Sequence, residues 1–239
     1  MSEENAAQDV PAETQAEKDA ADAKATSYNK ARLKIMWPFG AAIVLGATQP
    51  FFDEGQELYA GIVRWVGLGS LGLGTFIRLW CLGHLRKKER LSVSGPYAHS
   101  RNPLYVGTFF ILGGALLASN WIMGLALIVP YLFTFHYVYS RQIRWEEFRL
   151  APIFGQDYQD YLEGAPRFWP SIKAYEKRAK DQKFSLGLLF KNHALDLMLG
   201  VAALLLVMDL MGGVVWPMIL DGGEIGEMLR ARYLSGFGG

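Results

Sequence analysis

The chain has 239 residues, 51% of them hydrophobic, and its 24 Lys and Arg balance 23 Asp and Glu. That balance gives no electrostatic footprint for a nucleic-acid partner and no dominant acidic tail. Between Arg101 and Arg141, however, 39 successive residues include no Asp, Glu, Lys or Arg, nearly twice the roughly 20 that cross a bilayer as helix, and this excludes a uniform soluble globule.

Residues 1–34 carry seven acids and five bases among Ala and Gln, with Tyr28 the only aromatic. So little apolar surface cannot offset the entropy of ordering, and a solvated, disordered, charged tail is expected. No secretory signal peptide fits, because the apolar run begins only at Ile35 behind a stretch richer in acids than bases. Residues 35–52 are uncharged, with Pro38 and Pro50 near the ends where proline costs a helix least, and read as a first membrane span. Residues 58–82 read as the second, apolar apart from Arg64 and Arg78. These two are about 21 Å apart along a helix, so both guanidinium groups are expected to snorkel toward opposite interfaces.

Residues 102–140 would make a helix of about 58 Å, too long for one crossing. Ser119-Asn120 near the middle marks the turn of a helical hairpin, spans three and four. Residues 195–220, interrupted by Asp209 and carrying Pro217, form a fifth. The expected architecture is an all-α, polytopic membrane bundle of about five transmembrane helices. It divides into a tail (1–34), a helical core (35–175) and a C-terminal extension (176–239).

Basic residues set the orientation. Lys30, Arg32 and Lys34 precede the first span; Arg86, Lys87, Lys88, Arg90 and Arg101 lie between the second and third; nine Lys and Arg follow the fourth up to Lys183. The connection after the first span holds Asp53, Glu54 and Glu57 and no base. By the positive-inside rule the N-terminus and the segments 83–103 and 140–190 are cytoplasmic, and an odd span count puts the C-terminus outside. A lone Cys81 excludes an intrachain disulfide and no Asn-x-Ser/Thr site occurs, in keeping with a cytoplasm-facing active region.

Gly67-Leu68-Gly69-Ser70-Leu71-Gly72 spells a dinucleotide fingerprint, but inside a membrane span without a preceding strand. Small residues there, including the Ser70 and Gly74 pair, are expected to admit a neighbouring helix closely. More informative is Gly95-Pro96-Tyr97-Ala98-His99-Ser100-Arg101-Asn102-Pro103-Leu104-Tyr105-Val106-Gly107. Asn102-Pro103 reads as a cap and first-turn proline opening the third span, an end that attracts anions, with Arg101 a cation beside it. Arg101, Tyr97 and Tyr105 are equally consistent with interfacial anchors. After the fourth span come Arg144-Trp145-Glu146-Glu147, then Phe154-Gly155, Tyr158, Tyr161 and Pro166-Arg167-Phe168. On a continuing helix the adjacent acids point about 100° apart, so one can face a site while the other pairs with Arg144 or Arg149, or both can sit on an ordinary charged face. No metal-ligand spacing or Ser-His-Asp pattern stands out, and Cys81 looks like a buried small residue.

The ordered series Gly-Pro-Tyr-x-x-x-Arg-Asn-Pro-Leu-Tyr-x-Gly, a two-span hairpin, Glu-Glu, Phe-Gly-x-x-Tyr-x-x-Tyr and Pro-Arg-Phe resembles the isoprenylcysteine carboxyl methyltransferase and phospholipid methyltransferase superfamily. Arg78-Leu79-Trp80 and Leu82-Gly83 extend the likeness, which runs from about Arg78 to Pro170. Asn102 stands where many members carry His. The resemblance implies an integral membrane enzyme that takes a methyl group from S-adenosyl-L-methionine in a cytoplasm-facing pocket. It implies Arg101 and Glu147 as catalytic residues, and His84, Gly95, Tyr97, Arg101, Asn102, Pro103, Tyr105, Gly107, Glu146 and Glu147 around the cofactor, with no metal. Arg101 would receive the cofactor carboxylate and Glu146 or Glu147 its ammonium or ribose hydroxyls.

The acceptor implied is a membrane-embedded lipid or a lipidated molecule. A terminal carboxylate is ionised at neutral pH and needs no base, whereas an ethanolamine needs one; Arg101, Arg144 and Arg167 suit the carboxylate, which is favoured, while Glu146, Glu147 and His84 leave the amine open. His136 is a lesser pocket candidate, and Asp209 either a functional intramembrane charge or a helix-pairing group. The rivals are an NADPH-dependent membrane reductase of the steroid-reductase type and a non-enzymatic scaffold or transporter.

Overall fold

A computed structural model describes residues 34–45, 57–86, 90–177 and 179–215. Among the described residues the regular structure is helical: α1 (Lys34–Leu45), α2 (Glu57–His84), α3 (Pro103–Ser119), α4 (Trp121–Gly164), α5 (Leu186–Lys191) and α6 (Ala194–Leu210), followed by a π-helical turn, Met211–Val215. The expected tail, the end of the first expected span and residues beyond 215, with Pro217, lie outside the described residues. By length and composition α2 and α4 can each cross a membrane, while α1 and α3 are shorter apolar helices. Large apolar side chains point outward on α2 (Ile62, Trp65, Phe76), α4 (Val129, Phe133) and α6 (Leu199, Leu206), an inside-out surface that suits lipid rather than water.

Small residues join α2 to α3. A Cβ on Gly67 would lie 2.5 Å from the Ala118 amide nitrogen, one on Gly74 2.5 Å from the Gly107 carbonyl oxygen, and one on Gly114 2.5 Å from the Gly67 carbonyl oxygen. Between these contacts Ser70 Oγ donates to the Phe110 carbonyl at 3.0 Å. Residues 67, 70 and 74 share one helix face, and in hydrocarbon such backbone approach supplies the dispersion contacts that hydrophobicity cannot. The fingerprint spelling dissolves here, since Gly69 and Gly72 meet nothing within 4 Å. Arg64 is exposed as expected, but Arg78 does not snorkel outward: it turns onto α3 and donates from Nη1 to Thr108 Oγ1 at 2.6 Å. Gly107 leaves room for it, a Cβ there lying 2.5 Å from Arg78 Cγ.

The hairpin turn is a single residue. Asn120 ends α3 in an extended conformation, and its side chain accepts from Met123 N at 3.0 Å to cap α4, a contact worth about 1 kcal/mol. Past Ser140 α4 runs on until Gly155, whose φ of 52° and ψ of −129° break it and re-aim the last turns, a conformation that only glycine adopts without strain. The segment after α4 returns to the end of α2: Asn192 Nδ2 donates to the carbonyls of Leu82 (2.9 Å) and Leu85 (2.8 Å), while Gln182 bonds both Val93 N and the Leu91 carbonyl. The open carbonyls at the α2 terminus thereby find donors.

Candidate active site

Two loops meet where α2, α3 and α4 end on one side. The first begins at Gly95, whose φ of +56° and closeness to the His84 ring exclude a side chain: a Cβ would lie 2.5 Å from His84 Nε2. His84 Nδ1 is 3.1 Å from Ser94 Oγ and the residue is buried. The 3₁₀ turn Gly95–Ala98 then buries Tyr97 and Ala98. Segment 161–175 is sewn to it. Tyr161 OH donates to the carbonyls of Tyr97 (2.6 Å) and Ser100 (3.3 Å); Ser100 Oγ donates to Phe168 O at 2.7 Å; Arg101 N donates to Pro166 O at 2.9 Å and Tyr175 N to Ala98 O at 2.7 Å. The Tyr-x-x-Tyr and Pro-Arg-Phe elements thus serve as the backing of the Gly-Pro-Tyr loop. Asn102 occupies the cap position of α3, but its side chain does not cap: Nδ2 donates to the Arg167 carbonyl at 2.8 Å, and only its backbone carbonyl receives the first helical amide.

A cavity of about 560 Å³ opens beside this junction, within the usual size of a cofactor site. Arg101, Asn102, Pro103, Tyr105, Glu146, Tyr97 and Tyr158 line it, together with apolar Met36, Leu104, Leu112 and Leu150 and the Arg78 and Thr108 pair. The two adjacent acids take different places. Glu146 is in the cavity wall, where one carboxylate oxygen accepts from Tyr105 OH and, at 2.9 Å, from Gln142 Nε2. Glu147 instead bridges two cations, Oε1 to Arg101 Nη1 at 3.2 Å and Oε2 to Arg167 Nη2 at 2.6 Å. The expected pairing with Arg144 or Arg149 is therefore corrected. Arg144 is exposed, and the Arg149 guanidinium lies over the Trp145 ring at 4.7 Å.

Arg101 and Glu147 have side-chain exposures of only 14% and 17%, so removing Glu147 would leave Arg101 partly buried without this counter-charge, whereas removing Arg101 leaves Glu147 still paired with Arg167. Several donors in the wall lack acceptors among the described residues: Tyr97 OH, Arg101 Nε and Arg78 Nε are buried and make no hydrogen bond there. Burial pushes the Tyr97 hydroxyl well above its ordinary range, which keeps it a proton-bearing donor.

Of the residues singled out from the sequence, Tyr97, Arg101, Asn102, Pro103, Tyr105 and Glu146 meet at the cavity. His84 and Gly95 instead pack on each other beneath the loop, Gly107 belongs to the helix seam, and Glu147 holds Arg101 and Arg167. His136 and Asp209 are exposed, and Cys81 is fully buried. Sequence reasoning missed Arg78, Thr108, Tyr139 and Leu112 in the wall and Gln142 behind Glu146. For Arg78 the signal existed, since a cation within an apolar span is by default a functional group.

The phospholipid methyltransferase family matches residues 63–157, about two fifths of the chain. The cobalt-zinc-cadmium resistance protein CzcN of Cupriavidus metallidurans is 36% identical over 134 residues, 50% of this chain and 59% of that protein. The nickel-cobalt-cadmium resistance protein NccN of Alcaligenes xylosoxydans xylosoxydans is 33% identical over 116 residues, 48% of this chain and 53% of that protein. A protein-S-isoprenylcysteine O-methyltransferase of Schizosaccharomyces pombe is 34% identical over 118 residues, 44% of this chain and 48% of that protein. The chain thus spans about half the length of these relatives. No solved structure matches significantly. The matched stretch holds the α2–α3 seam, the Gly-Pro-Tyr loop and the Glu pair, and over these residues the chain is similar to the isoprenylcysteine carboxyl methyltransferase and phospholipid methyltransferase superfamily.

Proposed function

We propose that this protein is a multi-pass membrane methyltransferase that uses S-adenosyl-L-methionine to methylate a membrane-embedded lipid or lipidated acceptor, at a carboxylate rather than an amine, from the cytoplasmic face. The observation that carries the proposal is the cavity wall that pairs a cation, Arg101, with a separate carboxylate, Glu146. An amino-acid moiety bears the complementary pair, and the unpartnered donors on Arg101 and Tyr97 fit a ligand rich in acceptor atoms. When bound, the cofactor supplies a methyl group on sulfonium, whose bonding pair stays with sulfur as the acceptor oxygen bonds the carbon.

The protein's part is placement. Glu147 fixes the Arg101 guanidinium from behind, so the side chain enters the cavity already oriented and its charge is partly offset. Tyr105 and Gln142 fix the Glu146 carboxylate by the same means. The rings of Tyr97, Tyr105 and Tyr158 in the wall offer faces to a cationic sulfonium, and the apolar residues beside them exclude water from the line of attack. A carboxylate acceptor needs no base, which matches a wall with no histidine among its described residues. The orientation is supported by the basic loops that follow α2 and α4, against the acidic connection before α2.

Calorimetric titration of detergent-purified protein with S-adenosylhomocysteine, beside NADPH, tests this. Binding of the first alone, lost in Arg101→Ala, is expected; binding of NADPH alone would move the protein to the reductases, and binding of neither in folded protein would leave a scaffold or transporter.

A further inference from the structure

The face of α2 that turns away from the cavity carries a ladder of rings. Phe76, Trp80 and His84 follow one another at four-residue spacing, about 160° round the helix from Arg78. Ring centroids are 6.3 Å apart for Phe76 and Trp80, 6.4 Å for Trp80 and His84, and 5.9 Å for His84 and Phe184. Phe76 and Trp80 are 62% and 38% exposed. Phe184 comes from the segment that returns after α4, and Gly83 admits it, since a Cβ there would run into its ring. Bonds at both ends of α5 hold that short helix against the end of α2, from Ser185 N to the Gly83 carbonyl and from Asn192 to those of Leu82 and Leu85. Leu186 and Phe190 of α5 are exposed.

Cations surround the cytoplasmic end of this ladder. Arg86 follows His84 by two residues and Lys183 immediately precedes Phe184. The Arg86 amide donates to Ser92 Oγ at 2.9 Å, and its Nε is buried with no acceptor among the described residues. One acid is near. Asp181 pairs with Arg90 at 2.5 Å, and Arg90 first, with Arg86 adding to it, holds the Asp181 carboxyl below its usual range. Lys183 is exposed, so the cluster keeps an excess of positive charge.

Each half alone is ordinary, because membrane spans expose aromatic rings and basic loops follow the positive-inside rule. Their junction is more demanding. A guanidinium with an Nε withdrawn from water calls for an acceptor, and the ring face that starts beside it leads down α2 into hydrocarbon. An anionic head with acyl chains satisfies both. Inorganic phosphate would gain nothing from Phe76 and Trp80, and a zwitterionic lipid brings a cation of its own to a basic site.

We propose that the cytoplasmic end of α2 and residues 183–190 form a binding site for an anionic phospholipid, its phosphate on Arg86 and Lys183 and an acyl chain along Phe184, Trp80 and Phe76. The site is separate from the cavity and rests on α2 lying in the membrane, not on methyl transfer.

The test uses the full-length protein in phosphatidylcholine nanodiscs, into which dibrominated phosphatidylglycerol or dibrominated phosphatidylcholine is titrated while tryptophan emission is followed. Bromine on an acyl chain quenches an indole only at close range, so the difference between wild type and Trp80→Phe isolates this ring. Phosphatidylglycerol is expected to quench it at about one fifth of the mole fraction that phosphatidylcholine needs. Arg86→Gln combined with Lys183→Gln should bring the two lipids to parity. Lys183→Gln alone changes only an exposed side chain and should remove part of the preference, which keeps the test decisive if the double variant misfolds. Arg141→Gln combined with Arg144→Gln removes the same charge from exposed positions on α4 and should leave the preference intact. Parity in wild type, a preference that survives the loss of Arg86 and Lys183, or one that falls equally with Arg141 and Arg144 would overturn the site, the last by showing a diffuse attraction to basic loops. Relief of the quenching by inorganic phosphate would also overturn it, since the cations would then bind the free ion without the lipid's chains.

Discussion

The seam between α2 and α3 and the loop junction at its end solve the same problem, close approach of two chain segments, by opposite means. In the seam, Gly67, Gly74 and Gly114 bring backbone against backbone with one side-chain hydrogen bond, Ser70 to Phe110, between them. At the junction, five hydrogen bonds from Tyr161, Ser100, Arg101 and Tyr175 tie residues 97–101 to residues 161–175. The difference follows the surroundings. Helices in hydrocarbon have satisfied backbones and gain from packing alone, whereas an irregular loop carries free amides and carbonyls that must be paired. The functional consequence is that the seam supplies a rigid frame, and the polar junction supplies groups that can be spared for a ligand.

That contrast can be broken most severely at the seam. Gly74→Leu would drive a side chain into the Gly107 and Ile111 backbone of α3, and loss of 2 kcal/mol or more is expected, read as a large fall in the denaturant midpoint and in folded yield. Arg101→Ala should spare insertion but cut turnover or cofactor affinity by tenfold or more, on the order of 1.4 kcal/mol, measured by steady-state kinetics; Glu147→Gln should do nearly as much by releasing Arg101 and Arg167 together. Tyr161→Phe strips the loop carbonyls of Tyr97 and Ser100 of a buried donor, an expected loss of about 1–3 kcal/mol in stability with a smaller effect on cofactor affinity. Smallest of all, Gly69→Ala meets open space and should be neutral or stabilising by up to about 1 kcal/mol. A Gly69→Ala protein as damaged as Gly74→Leu would show that the seam is not where we place it.

Periodicity and charge made much of this legible. An uncharged run too long for one span, with Ser119-Asn120 at its middle, predicted the hairpin, and the structure turns at Asn120. The basic loops put the segments 83–103 and 140–190 on one membrane side; that hydrogen bonds join them is what the structure adds. What periodicity cannot convey is the direction of individual side chains. Arg78 was read as an anchor because a long flexible side chain near a helix end can reach an interface, and only the gap left by Gly107 turns it inward. The Glu pair was legible as a pair, but partners 46 and 20 residues from Glu147 in Arg101 and Arg167 decide which acid faces the cavity. Asn102 looked like a helix cap, and a carbonyl from residue 167 competes successfully for its side chain.

Orientation is open to a direct check. Single cysteines at Arg90 and Lys173, both exposed, should react with an impermeant maleimide only from the cytoplasmic side, against a low background from the buried Cys81; labelling from opposite sides would overturn the topology.

The most direct measurement is transfer of labelled methyl from S-adenosyl-L-methionine to N-acetyl-S-farnesylcysteine by the purified protein in lipid. Label released as volatile methanol by base, absent in Arg101→Ala, is the predicted result, since a carboxyl methyl ester hydrolyses and a methylated amine does not. Base-stable label on an amine lipid, or no transfer by folded protein that carries the intact Arg101–Glu147–Arg167 bridge, would contradict it.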